Sequence, residues 1–135
     1  DTSRSDLVQA VLEGVAFAIR DSFEVARSLG VGIPTTKICG GGSKSPLWRT
    51  IFANVLGIPL ELVKTEQGPG YGGAMLAMVG CGQYESVQAA ADALVEVAST
   101  VQPDAELTAK YEARYQQFRK IYPACRELFR ELMKQ

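Results

Sequence analysis

Histidine is absent from the 135-residue sequence, which excludes a Ser-His-Asp triad and any His-bearing metal site. Cysteine is scarce. Cys39, Cys81 and Cys125 are odd in number, far apart and outside any CxxC pattern, which argues against a disulfide framework and for a reducing cytoplasm. No apolar run reaches the length needed to cross a bilayer, and no signal peptide opens the chain, so no membrane partner is expected. Neither sign of charge is in excess: 14 Lys and Arg stand against 15 Asp and Glu. Nucleic-acid binders carry a basic excess or stripe, so no nucleic-acid partner is expected either. The basic residues near the C-terminus, Arg114, Arg119, Lys120, Arg126, Arg130 and Lys134, are interleaved with Glu112, Glu127 and Glu131 and read as a solvated helix face with spaced ion pairs. A starting Met is also missing, which leads us to expect an internal or terminal piece of a longer protein.

What is present is a composition that is 47% apolar, enough for one packed domain. Residues 5–29 form a predicted amphipathic helix, with Leu7, Val11, Val15, Ile19 and Phe23 at every fourth position and Val8, Leu12 and Ala16 beside them. Ser3 and Asp6 resemble a capping box, and Gly30 and Gly32 end the helix. A short β-favouring run follows, residues 35–39, ending at Gly40-Gly41-Gly42. Ser45-Pro46 then starts a second helix with Leu47, Ile51, Phe52 and Val55 as its buried stripe, stopped by Gly57 and Pro59. Residues 60–63 are a second strand. From Gln67 the chain is predicted loop-like to about Tyr71, then helical from Gly72 to Val79. Ser86 caps a helix to about Val95, and Pro103-Asp104 opens a long helical region that Pro123 is expected to break or kink. Two short strands separated by a helix pair in parallel, and two such strands do not make an independent sheet. The first strand should therefore seek a further partner.

The glycine turn sits at the carboxyl end of its strand, where open parallel sheets bind ligands. Three successive glycines remove every Cβ and let a ligand approach the backbone, and the helix that follows offers the positive end of its dipole. Ser43, Lys44 and Ser45 add short donors and one cation. The turn is neither GxxxxGK[ST] nor GxGxxG. On the residues alone, a tight strand-to-helix turn without a ligand is an equal alternative. The second cluster, Gly68, Gly70, Gly72 and Gly73 with Ala74 and Ala77, reads as a helix start built for close packing against another backbone. Trp48 and Tyr71 read as packing aromatics ahead of pocket walls.

The run Cys39-Gly40-Gly41-Gly42-Ser43-Lys44-Ser45-Pro46-Leu47-Trp48, continuing to Gly57, resembles the adenosine motif of the FGGY carbohydrate kinases, and most of all their xylulose-phosphorylating branch. Residues 10–22, 65–77 and 115–129 resemble, in the same order, the helix before that motif, the glycine–alanine helix after it and the terminal helix. The resemblance implies the α/β fold of an actin-like, ribonuclease-H-like ATPase domain. This chain would form the C-terminal part of the second of two domains, with two short parallel strands among helices. It implies ATP-dependent phosphorylation of D-xylulose with Mg²⁺. Gly40, Gly41, Gly42, Ser43, Lys44, Ser45 and Pro46 would form the ATP/ADP side of the cleft. Asn54 stands where such kinases usually carry Asp, and Pro46 where the glycerol kinases carry an Asn.

The same resemblance places the catalytic Asp, the phosphate-binding hairpins and the sugar-binding residues upstream of Asp1. No residue here is assigned a catalytic or metal-binding role, and this piece alone is expected to be inactive. Asp6 and Asp104 read as helix-start residues, Asp21 and Asp92 as solvent-facing helix positions. Expected partners are the nucleotide, the sugar through residues outside this chain, the rest of the kinase, and a second copy in a homodimer. A related kinase for another pentulose or polyol stays open, as does a non-enzymatic actin-like nucleotide-binding module.

Overall fold

The computed structural model describes residues 1–65 and 68–134. Helix α1, Arg4–Ser28, opens on the capping box: the Ser3 hydroxyl accepts the Asp6 N–H, and Asp6 Oδ2 accepts the Ser3 N–H at 2.8 Å. Strand β1 is Thr36–Ile38. After the glycine turn comes α2, Pro46–Leu56, with Ser45 as N-cap and Pro46 in its first turn. Gly57, at φ +67°, closes α2 in the left-handed region, where a side chain would be strained. Strand β2, Leu60–Val63, lies parallel to β1 with Thr36 opposite Leu60 and Ile38 opposite Leu62. Helices α3, Gly68–Gly80, and α4, Val87–Leu94, follow. Strand β3, Val97–Val101, returns antiparallel along β2, and α5, Ala105–Leu132, ends the fold.

The sheet order is β1-β2-β3, so the expected two-strand parallel pair is extended by a third, antiparallel strand. β1 remains an edge, as its need for a further partner anticipates. α3 begins four residues earlier than the glycines suggest. Its expected loop lead-in at Gln67 lies outside the described residues. α5 runs unbroken through Pro123. Arg119, whose carbonyl loses its partner to the proline, is exposed, and water can replace the missing hydrogen bond there.

The core is built around α2. Every residue from Ile51 to Leu56 is buried, and Ala16 and Phe17 of α1, Leu60 of β2 and Tyr111 and Tyr115 of α5 close on it. Each large apolar side chain buried here stabilises by roughly 1.5–3 kcal/mol. The polar exception, Asn54, is 1% exposed, and its Oδ1 accepts the Asp104 N–H at 2.7 Å. This pins the central helix to the start of α5, where Asp104 itself caps Leu107.

The face α1 turns inward differs from the every-fourth-residue stripe. Leu7, Val11, Val15 and Ile19 are exposed, whereas Leu12, Ala16, Phe17 and Phe23 pack on the core. Four residues exceed one helical turn by roughly 40°, so a strict every-fourth run winds around the helix instead of holding one face. On α2, Leu47 is exposed while Ile51, Phe52 and Val55 are buried.

Candidate functional site: the glycine turn

The turn forms at the carboxyl end of β1 because Gly40 adopts φ +85°, a conformation costly for any other residue. Gly41–Lys44 then make one 3₁₀ turn. The Ser43 hydroxyl donates to the Gly40 carbonyl at 2.7 Å, and the Ser43 N–H reaches the same oxygen at 3.1 Å. Ser45 Oγ accepts the Trp48 N–H at 3.3 Å and caps α2. Ser43 thus spends its hydroxyl proton within the turn, while Ser45 Oγ serves as an acceptor at the start of α2. Gly40, Gly41, Lys44 and Pro46 are exposed, Gly42 and Ser45 are half-buried, and Ser43 is buried, so all seven expected residues sit in one continuous bend.

The three glycines are glycine for different reasons. Gly40 is required by its backbone angle. A Cβ on Gly42 would stand 2.6 Å from Trp48 Cζ3, inside any tolerable contact. Gly41 has an ordinary φ, and a Cβ there would meet nothing within 4 Å. Folding accounts for the first and third glycines and makes no demand on the second.

Trp48 packs, as expected. Its ring lies 5.5 Å from Phe52, and its indole N–H donates to the Leu12 carbonyl of α1 at 3.2 Å. Sequence reasoning did not anticipate the contact with Leu12, because a bond to a backbone carbonyl 36 positions away leaves no local signal. Tyr71 is half-buried with its hydroxyl donating to Leu94 O at 2.8 Å. It walls a 130 Å³ cavity beyond the ends of β1 and β2, together with Lys37, Cys39 and Thr65. The glycines of α3 meet no close backbone: a Cβ at Gly68, Gly70, Gly72 or Gly73 has nothing within 4 Å among the described residues. Their expected packing partner is not supplied by the described part of the fold.

The acidic residues have structural work. Asp6 and Asp104 cap helices, Asp92 accepts from Gln88, and Asp21 accepts the Tyr115 hydroxyl. Among the described residues no three His, Cys, Asp or Glu side chains gather where they would hold a metal. The C-terminal charges pair along and between helices: Arg114 with Glu13, and Arg126 and Arg130 with Glu127. The described cysteines are free, and no described helix is long and apolar enough to cross a membrane.

Residues 1–81 match the C-terminal domain of the FGGY family of carbohydrate kinases, and the chain belongs to that family. A xylulose kinase of Bacillus subtilis (strain 168) is 30% identical over 126 residues, covering 93% of this chain and 25% of its own. An L-xylulose/3-keto-L-gulonate kinase of Escherichia coli (strain K12) is 30% identical, covering 90% and 24%. The crystal structure of a xyloylose kinase from Brucella ovis superposes with a TM-score of 0.83 at 34% identity, over 95% of this chain and 26% of that one. These likenesses assign the mixed sheet and its helices to the actin-like, ribonuclease-H-like fold of the sugar kinases. The chain spans about a quarter of the length of the curated relatives it matches.

Proposed function

We propose that this chain is the C-terminal part of the second domain of a longer FGGY kinase, where it forms the adenosine side of the ATP cleft. The whole enzyme would phosphorylate D-xylulose to D-xylulose 5-phosphate in the cytoplasm. The observation that carries the reading is Gly41: open, conformationally ordinary, and glycine without a demand from the fold. A bound adenosine pressed against that backbone supplies the demand. Gly40 and Gly42 set the bend, and Ser43 to Pro46 flank it. ATP contributes the transferable phosphoryl group. This chain's residues bind and orient its nucleoside end, and no proton-transfer role falls to them.

Among the described residues no three His, Cys, Asp or Glu side chains gather, and Mg²⁺ in the whole kinase would be held with the ATP phosphates by carboxylates upstream of this chain, as the family resemblance implies. The same holds for the general base and the sugar contacts. The rest of the kinase is the natural occupant of the faces left open here. They are the β1 edge, the exposed stripe Leu7, Val11, Val15 and Ile19, and α3, an apolar helix with no buried residue. Beside the β1 edge lies a 290 Å³ groove lined by Ile19, Phe23, Ile38 and Phe52, apolar as a covered surface would be. A homodimer of that kinase would draw on the exposed apolar residues of α5 beyond Ile121.

A second reading takes another pentulose as substrate. The Escherichia coli relative named for L-xylulose and 3-keto-L-gulonate favours it, since this chain is as similar to that enzyme as to a xylulose kinase. A sugar panel offered to the full-length kinase separates the two. The adenosine assignment is tested by Gly41→Val in that kinase. KM for ATP should rise about tenfold or more, with KM for the sugar within about twofold. Equal rises for both substrates would count against it.

A further inference from the structure

We infer that Trp48 is a positioning residue for the nucleotide, holding the glycine turn at its working height through Gly42 and anchoring it to α1 through Leu12. The inference rests on the reading of the turn as the adenosine side. Three separate contacts converge on this one residue. Its indole face fills the space a Gly42 Cβ would take, with Cζ3 and Cε3 at 2.6 and 2.9 Å from that position. Its indole N–H donates to Leu12 O, which fixes the ring's rotation against α1. Its backbone N–H closes the Ser45 cap that starts α2. The Ser43 hydroxyl bond to Gly40 and the bonds of Ser45, Arg49 and Thr50 around the first turn of α2 are local, whereas the indole bond to Leu12 spans 36 positions. The ring is therefore a long-range support beneath Gly42, and Gly41 rides on Gly42. A shift of the ring moves the open backbone by a comparable distance, and misplacements of about 1 Å suffice to weaken binding or catalysis by up to about a hundredfold.

If the ring only filled core space beside Phe52, its loss would lower stability and leave the nucleotide requirement of folded molecules unchanged. Kinetics of the full-length kinase separate the two roles. Trp48→Leu, which removes the ring, should raise KM for ATP about tenfold with KM for the sugar within about twofold. Trp48→Phe, which keeps an aromatic ring but loses the N–H on Leu12, should raise KM for ATP by about threefold, between the parent and Trp48→Leu. Gly42→Ala presses a methyl on the indole and should raise KM for ATP alone. In the Trp48→Leu background the same methyl has room, so its added effect should fall to about twofold or less, a non-additivity that marks direct coupling. If Trp48→Leu yields no folded enzyme, Gly42→Ala and Trp48→Phe carry the test. The inference is overturned if variants that fold leave KM for ATP unchanged while Gly41→Val raises it. If Gly41→Val also leaves it unchanged, the adenosine reading itself falls.

Discussion

Tyr115 offers the sharpest quantitative test of how α1 and α5 are joined. Its ring is 1% exposed and lies 5.9 Å from Phe17, with the Arg20 guanidinium 4.1 Å from the ring centroid. Arg20 also pairs with Glu112 across the same helix interface. The Tyr115 hydroxyl donates to Asp21 Oδ1 at 2.5 Å. Burial first, and then the bond to Asp21 and that carboxylate's charge, push the phenol from 10.0 up to about 12. A phenol is neutral when protonated, so the folded state here keeps a proton that the unfolded chain gives up near pH 10. The stabilisation is fully present below pH 10 and is lost as pH rises through about 12. Two units at 1.36 kcal/mol each give a loss of about 2–3 kcal/mol. Tyr115→Phe removes the titration and the hydrogen bond together. At pH 8 it should cost about 1 kcal/mol, because exposed Asp21 regains water when its donor is lost. The variant no longer loses stability to this group at high pH, so its curve should cross that of the parent near about pH 11. Urea denaturation of the chain, followed by far-ultraviolet circular dichroism from pH 8 to 12, reads both effects. The other tyrosines and lysines are shared and cancel in the comparison. Parallel curves across that range would refute the assignment of the Asp21–Tyr115 bond and its buried ring.

Two further outcomes follow from buried and capping polar groups. Asn54→Ala removes the acceptor that holds the Asp104 N–H and leaves a small void inside α2. It should destabilise by about 2 kcal/mol in urea denaturation, and a loss below about 0.5 kcal/mol would contradict the bridge. Asp6 is held below its usual carboxylate range, first by the Ser3 N–H and then by the Ser3 hydroxyl. Its contribution is present above pH 4 and lost as pH falls through the depressed value. Helix content measured from pH 5 to 2 should therefore fall less for Asp6→Asn than for the parent, and equal falls would rule the capping box out as the cause.

Much of this fold was legible in the chain because its signals are local. Ser3 with Asp6, Ser45 with Pro46, and Gly57 mark helix ends by short-range hydrogen bonding and backbone angle, and those ends fall where expected. Strand β3 was not foreseen. Val97–Val101 is largely exposed and carries no alternating pattern, and what makes it a strand is its antiparallel pairing with β2, a long-range event. The start of α3 was masked by glycines that usually read as loop, although Pro69 suits a first helical turn. The α1 stripe misled for a geometric reason, since steps of four drift around the helix while the core selects the face that meets Phe17. At the candidate site, the position of the turn was plain from Gly40-Gly41-Gly42. Which glycine the fold leaves unexplained was not, because that depends on where the Trp48 ring comes to rest.

The most direct test of the central claim is a crystal structure of the full-length kinase with ADP. The account predicts the adenosine against the backbone of Gly41, flanked by Gly40 to Pro46, with the Trp48 indole N–H still on the Leu12 carbonyl. Adenosine bound elsewhere, with the glycine turn out of contact, would contradict it.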